Sequence, residues 1–252
     1  MRVLSGRANW PAGVQRVVLE STDSTNAEAL RRAPGVQAPL WICALRQSAA
    51  RGRQGRSWSY PEGNFAATLA MRLDEPPSRL ALRSFVASLA LHDVLEDLTR
   101  TKTPLALKWP NDVLLDGGKV AGILLETTGT PPVLAIGFGV NLVHIPQDID
   151  DRQGAFAPVA LNGWSDREVS PVGFLDHLAC AYARREAVFT RFGFAPIRQA
   201  WLAKAARLGQ EITARTSRRN ITGIFRTGDD DGQLVLSTPD ATVAIPAADV
   251  YF

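Results

Sequence analysis

Leu105-Ala106-Leu107-Lys108-Trp109-Pro110-Asn111-Asp112-Val113-Leu114-Leu115-Asp116-Gly117-Gly118-Lys119-Val120-Ala121-Gly122-Ile123-Leu124-Leu125-Glu126 reads as short strands in succession. Leu105 to Trp109 is an apolar run closed by Pro110, which brings no backbone donor to a ladder and so ends the strand. Val113 to Leu115 faces Lys119 to Glu126 across Asp116-Gly117-Gly118, a spacer of the kind that closes a hairpin.

Outward from this hairpin the periodicity alternates between the two regular structures. Upstream, Asn64 to Leu73 alternates as a strand. Pro76-Pro77-Ser78 then opens a helix running to about Leu98, with Leu82, Phe85, Val86, Leu89, Val94, Leu95 and Leu98 at helical spacing. Val14 to Glu20 and Leu40 to Leu45 read as strands, and Asp23-Ser24-Thr25-Asn26 supplies cap residues for a short helix that Pro34 stops. Downstream, Val133 to Asn141 is an apolar strand whose Gly137 and Gly139 predict a close approach to the backbone, favouring a ligand-facing reading. A loop-rich stretch from Leu142 to Ser170 precedes helices over Pro171 to Phe192 and Pro196 to Arg207. From Gly209 the texture changes to β-branched segments, Glu211 to Thr216, Ile221 to Arg226, Gln233 to Ser237 and Thr242 to Ile245, with Asp229-Asp230-Asp231-Gly232 as a hairpin turn. The pattern is α+β, closed by a small all-β module.

The 252 residues, 46% hydrophobic and 21% charged, have a globular composition that excludes disordered, collagen-like and coiled-coil chains. No run approaches the roughly 18 apolar residues of a spanning helix, and Met1 to Arg7 has no apolar signal core, so a cytoplasmic protein is expected. Cys43 and Cys180 lack metal-ligand spacing and are expected to be reduced thiols, while His92, His144 and His177 are scattered. A net charge of +3 is too mild to imply nucleic acid by itself.

Two segments carry chemistry. Arg51-Gly52-Arg53-Gln54-Gly55-Arg56 puts three guanidinium groups on a pliable backbone, an arrangement suited to a polyphosphate but also to a solvated basic loop or a nucleic-acid contact loop. Lys108, Asn111-Asp112 and Lys119 bring cations and a carboxylate to strand ends, which suits acyl-phosphate chemistry, although Asn-Asp is equally a good turn. Of the four lysines in the chain, Lys108 and Lys119 are the two in this region.

Four ordered motifs, Asp23-Ser24-Thr25-Asn26, Gln47 to Trp58, Lys108-Trp109-Pro110-Asn111-Asp112 with Lys119 to Leu124, and Gly137-Phe138-Gly139-Val140-Asn141, together strongly resemble the biotin protein ligase family, and the resemblance covers essentially the whole chain. It implies a class II synthetase-like catalytic domain with a central mixed sheet over residues 1–207, followed by a small Src-homology-3-like barrel over 208–252. It also implies ATP and biotin as substrates with magnesium, and a carboxyl-carrier domain, such as that of acetyl-CoA carboxylase, as the partner. On the same ground Ser24, Thr25 and Gln47 would hold the biotin ureido ring with Arg51 beside them, and Gly122 and Lys119 would also bind biotin. Lys119 would reach the biotin carboxylate and the α-phosphate, and Arg53 and Arg56 the phosphates, with Arg53 and Lys119 catalytic. Trp58 would wall the adenine, Asn141 would read it, and Asn111 and Asp112 would serve phosphate, ribose or magnesium, with Asp112 the candidate metal ligand. Ala50 and Gln54 depart from the family pattern, which usually has glycine and a second basic residue there. About twenty residues precede the Ser-Thr motif, too few for the winged helix of some relatives, so no DNA binding is expected; no membrane partner is expected either, and a homodimer is left open. The competing readings are a lipoate or octanoate ligase, which would use Ser24, Thr25 and Gln47 poorly, and a non-enzymatic anion- or nucleic-acid-binding module.

Overall fold

The computed structural model describes residues 9–55, 58–99, 103–146, 156–216, 219–246 and 248–251. Its strands are β1 (Gln15–Leu19), β2 (Leu40–Ala44), β3 (Phe65–Arg72), β4 (Leu105–Lys108), β5 (Asp112–Leu115), β6 (Gly118–Thr128), β7 (Val133–Val140), β8 (Glu211–Arg215), β9 (Asn220–Gly228), β10 (Leu234–Ser237), β11 (Thr242–Ile245) and β12 (Asp249–Tyr251). The helices are α1 (Thr25–Arg32), α2 (Pro77–Ala81), α3 (Arg83–Leu98), α4 (Pro171–Phe192) and α5 (Phe194–Leu202).

Seven strands form one sheet in the order β1-β2-β3-β7-β6-β5-β4. Only β1 and β2 run parallel, joined through α1, and the other pairs are antiparallel, so the sheet is mixed. Side-chain alternation sorts each strand between two covers. Trp41 and Cys43 of β2, Phe65, Ala67 and Leu69 of β3, and Leu134, Ile136 and Phe138 of β7 join the main core with α3, α4 and α5. Leu40, Ile42, Ala70 and Ala135 face the opposite way, onto Ala29 and Ala33 at α1. Strands covered on both faces bury every residue, which is why β2 reads as a continuous apolar run.

On the α1 side the residues continuing those rows are small. Gly137 and Gly139 of β7 alternate with Ile136, Phe138 and Val140, and Ala66 and Thr68 of β3 lie alongside. The short α1 covers part of this face and the small side chains beside it leave a hollow. The cavity described below occupies that hollow.

The second sheet is antiparallel, in the order β11-β10-β9-β8-β12, as in a Src-homology-3-like module. The segment leading into it pairs with β4, where Leu107 N donates to the Lys204 carbonyl and Ala206 N to the Leu107 carbonyl, both at 2.8 Å. The β9–β10 turn, in which Asp229 Oδ1 accepts from Asp231 N and Gln233 N, sets Gly232 against Phe85 and Leu82, and Trp109 Nε1 donates to the Gly232 carbonyl at 3.1 Å.

The structure departs from the sequence reading chiefly as follows. The helix expected from Pro76 is broken at Leu82 into α2 and α3. The last helix ends at Leu202 rather than Arg207, because the chain after it turns to pair with β4. The terminal strand β12 was not expected, and it pairs with β8.

Candidate active site

A cavity of about 270 Å³ lies on the small-residue face of the first sheet, walled by α1, the Arg51–Arg53 loop, β5, β6, β7 and strand β12 of the second sheet. At one end Ser24 caps α1, its Oγ accepting from Ala27 N at 3.4 Å. Thr25 N donates to Gln47 Oε1 at 2.7 Å, which turns the Gln47 Nε2 into the free donor of that amide. Asn26, buried beneath, donates through Nδ2 to Glu126 Oε2 at 2.8 Å and to the Leu124 carbonyl at 3.3 Å. Thr68 Oγ lies 2.6 Å from Asn26 Oδ1 and 2.9 Å from Thr25 Oγ. Arg51 Nη2 stands 3.6 Å from Glu126 Oε1, so the first arginine of the loop faces a carboxylate rather than solvent alone.

The other end is cationic. Lys119 Nζ is 2.7 Å from Asp112 Oδ1 and Lys108 Nζ 3.5 Å from Oδ2. Burial on its own would raise the Asp112 carboxyl, but Lys119 and Lys108 outweigh it and hold it below the usual carboxylate range. Burial draws the Lys108 ammonium down, with Asp112 opposing. Arg53 Nη1 donates to Asn111 Oδ1 at 3.2 Å and Nη2 to the Ala248 carbonyl at 3.5 Å, and it lies 4.0 Å from Asp249 Oδ1. Asn111 is engaged at both ends, its Nδ2 donating to the Ile123 carbonyl and its main-chain carbonyl accepting from Ile123 N. A carboxylate flanked by two ammonium groups is a poor ligand for a divalent cation, and among the described residues no group of three acidic, histidine or cysteine side chains comes together as a metal site. The residues present therefore do not fit a protein-held magnesium.

Trp58 lies across the glycines. A Cβ built at Gly139 would come 2.8 Å from its indole and one at Gly122 3.2 Å, and Lys119 Nζ sits 5.2 Å from the ring. A Cβ at Gly137 would collide with Asn26 Oδ1. The close approach read from Gly137 and Gly139 is therefore made by two of the protein's own side chains. Asn141, 1% exposed, donates through Nδ2 to the Val159 carbonyl at 3.1 Å and the Lys119 carbonyl at 3.4 Å. Two acceptors fix the orientation of this amide, and its buried Oδ1 has no partner. A buried acceptor held in this way suits a ligand N–H.

Of the residues singled out in the sequence, Ser24, Thr25, Gln47, Arg51, Arg53, Trp58, Asn111, Asp112, Lys119, Gly122 and Asn141 all line this cavity. Arg56 lies outside the described residues, as does the side chain of Gln54. Sequence reasoning missed Asp249, Val250 and Tyr251, which wall the cavity from the second sheet, and Glu126, which it read as a strand end. Cys43 is buried and Cys180 partly so, both as free thiols.

The site thus sits on a mixed sheet with a hollow face, one end neutral and polar and the other cationic, with a small antiparallel module closing its rim. The chain matches the Biotin/lipoate A/B protein ligase family over residues 18–142 and the Biotin protein ligase C terminal domain over residues 208–252. It is 50% identical over 238 residues to the biotin--[acetyl-CoA-carboxylase] ligase of Paracoccus denitrificans, covering 93% of this chain and 99% of that one. With the bifunctional ligase/repressor BirA of Bacillus subtilis it shares 31% over 238 residues, covering 92% of this chain and 71% of the relative. The biotin protein ligase of Aquifex aeolicus, solved in complex with biotin and ATP, has the same fold, with a TM-score of 0.76 at 24% identity over 94% of this chain and 98% of that one. The chain belongs to the biotin protein ligase family.

Proposed function

We propose that the protein activates biotin as biotinyl-5′-adenylate with ATP and transfers the biotinyl group to a lysine of a biotin carboxyl-carrier domain. The observation that carries this reading is the polarity of the cavity. A neutral donor and acceptor pair, Gln47 Nε2 and Thr25 Oγ, stands at one end, and Lys119 and Arg53 stand at the other. The first end complements a cyclic urea, and the second an anionic carboxylate and phosphate.

In the first step a biotin carboxylate oxygen attacks the α-phosphorus of ATP and pyrophosphate leaves. Lys119 would bridge the carboxylate and the α-phosphate, and Arg53 would take charge growing on the phosphate oxygens, so cations already in place lower that barrier. Trp58 would flank the adenine, and the unpaired Asn141 Oδ1 would accept from its amino group. In the second step the carrier amine attacks the acyl carbon and AMP leaves. The loop carrying Arg51, Arg53 and Arg56 would shield the anhydride from water between the steps. Magnesium would arrive on the triphosphate rather than on Asp112.

Residues 1–207 would form the catalytic unit and 208–252 the module that completes its wall, a division supported by Ala248 and Asp249 beside Arg53. Ligation is supported by a 50% identical relative named as a ligase, 99% of which the match covers. No helix among the described residues is long and apolar enough to cross a membrane, in keeping with work in the cytoplasm. A lipoate ligase is not favoured, because a dithiolane ring would leave both Thr25 and Gln47 unused.

The test is pyrophosphate release from ATP and magnesium with biotin, lipoate and octanoate offered separately, followed by mass spectrometry of an added carrier domain. Release with biotin and a biotinyl mass gain on the carrier is the expected result. Release with lipoate or octanoate but not biotin overturns the reading.

A further inference from the structure

Glu126 touches neither the cationic end nor the adenine side, yet a chain of hydrogen bonds runs from it to the cavity wall. We propose that Glu126 is a positioning residue that fixes the direction of the protons along Asn26, Thr68 and Thr25, and so makes the site select an acid whose ring offers an N–H to Thr25. The proposal rests on the biotin reading above and deepens it.

A carboxylate can only accept. Asn26 Nδ2 lies 2.8 Å from Glu126 Oε2 and 3.3 Å from the Leu124 carbonyl, so turning the amide round would set oxygen against two oxygens. Asn26 Oδ1 is thereby aimed at Thr68 Oγ, 2.6 Å away, and takes the single proton of that hydroxyl. Thr25 Oγ, 2.9 Å from Thr68 Oγ, must then give its own proton to Thr68 and keeps only lone pairs for the cavity that Thr25 lines.

The three intermediate side chains are no more than 4% exposed, and low-dielectric surroundings make a reversed link costly. The space Asn26 needs is given by Gly137, where any Cβ would strike its Oδ1. Arg51, 3.6 Å from the other carboxylate oxygen, sets a positive charge beside Glu126. With Gln47 Nε2 fixed as the neighbouring donor, the wall offers one acceptor and one donor side by side, complementary to the N–H and C=O of a cyclic urea.

The experiment compares biotin with its two cyclic-carbamate analogues, each carrying a ring oxygen in place of one ureido N–H, by KM and kcat for pyrophosphate release. The native enzyme is expected to prefer biotin over one of the two analogues by about 100-fold or more, because that oxygen would face lone pairs. Glu126→Gln, which still offers an oxygen to Asn26, should keep this preference within about threefold, whereas Glu126→Met should lose about tenfold of it, through KM. A merely structural role for Glu126 would weaken biotin and both analogues alike. An unchanged ratio in Glu126→Met therefore overturns the proposal. If Glu126→Met shows no cooperative thermal transition, Thr68→Val, which cuts the same chain one link further on, must lower the ratio, and a native ratio there overturns it equally. A native enzyme inactive on biotin would overturn the underlying reading instead, and is told apart by the control without any substitution.

Discussion

Asp112 and Lys119 show how a single ion pair can serve both folding and chemistry. The carboxylate is 9% exposed and flanked by two ammonium groups, so neither lysine stands as an isolated buried charge. Of the two, Lys119 is the more exposed, with 29% of its side chain accessible against 11% for Lys108, and it is the one free to meet an incoming anion. Lys119→Ala should leave the fold intact, since Lys108 still faces Asp112, and should reduce biotin-dependent pyrophosphate release by about 10²- to 10³-fold through loss of preplaced charge. Steady-state rates with a circular-dichroism melt separate the two effects, and full activity in the variant would mean that another group supplies the catalytic cation.

At the scale of elements, β7 shows what the sequence could and could not disclose. Alternation of Gly137 and Gly139 with Ile136, Phe138 and Val140 told that one face of that strand is packed and the other closely approached. What approaches it, Asn26 and Trp58, depends on how α1 and the loop fold back over the sheet, and no local pattern encodes that. The central hairpin, the cap at Ser24 and the turn at Asp229 were legible because each is set by residues a few positions apart. Strand β12 was not, because three residues after Pro246 carry no readable alternation and owe their strand form to β8. Asp249 and Tyr251 went unread as cavity residues for the same reason, and the part played by Glu126 behind the cavity wall went unread because its partners lie 75 and 100 positions away. Gly137→Ala follows from this geometry. Its methyl must displace Asn26, which should raise KM for biotin by about tenfold or more and lower stability by about 1–3 kcal/mol, as overpacking does. Biotin titration alongside urea unfolding measures both, and unchanged values in both would show that Asn26 has room to move.

Over the whole molecule, α3 and α4 pack beneath the sheet and the second sheet docks at its rim, and both arrangements bury polar groups. His92 on α3 is 2% exposed, with Nδ1 lacking a hydrogen-bond partner and lying 3.8 Å from Glu96 Oε2. Its burial, helped by Lys204 and opposed by Glu96 and Asp93, lowers the imidazole to about 4. An unfolded chain takes up that proton near pH 6.5, whereas the folded one resists until about pH 4. Above pH 6.5 the two states match, and stability falls as pH drops from 6.5 towards 4, by about 3 kcal/mol over the range. His92→Leu should therefore lose about 2–3 kcal/mol less than the native protein between pH 7 and pH 4.5 in urea unfolding, and an equal loss in both would assign the acid sensitivity to other groups. The Asp112 cluster has a further consequence for a molecule that generates an amine-seeking anhydride. Of its four lysines, two line the chamber where that anhydride would form. Only an unprotonated amine attacks an acyl group, and burial already draws Lys108 in that direction. Asp112, which opposes that shift at Lys108 from 3.5 Å away, guards the enzyme against labelling itself. Offered preformed biotinyl-adenylate, Asp112→Asn protein should gain a biotinyl mass on Lys108 while the native chain stays clean there; a variant that stays unlabelled would locate the protection elsewhere.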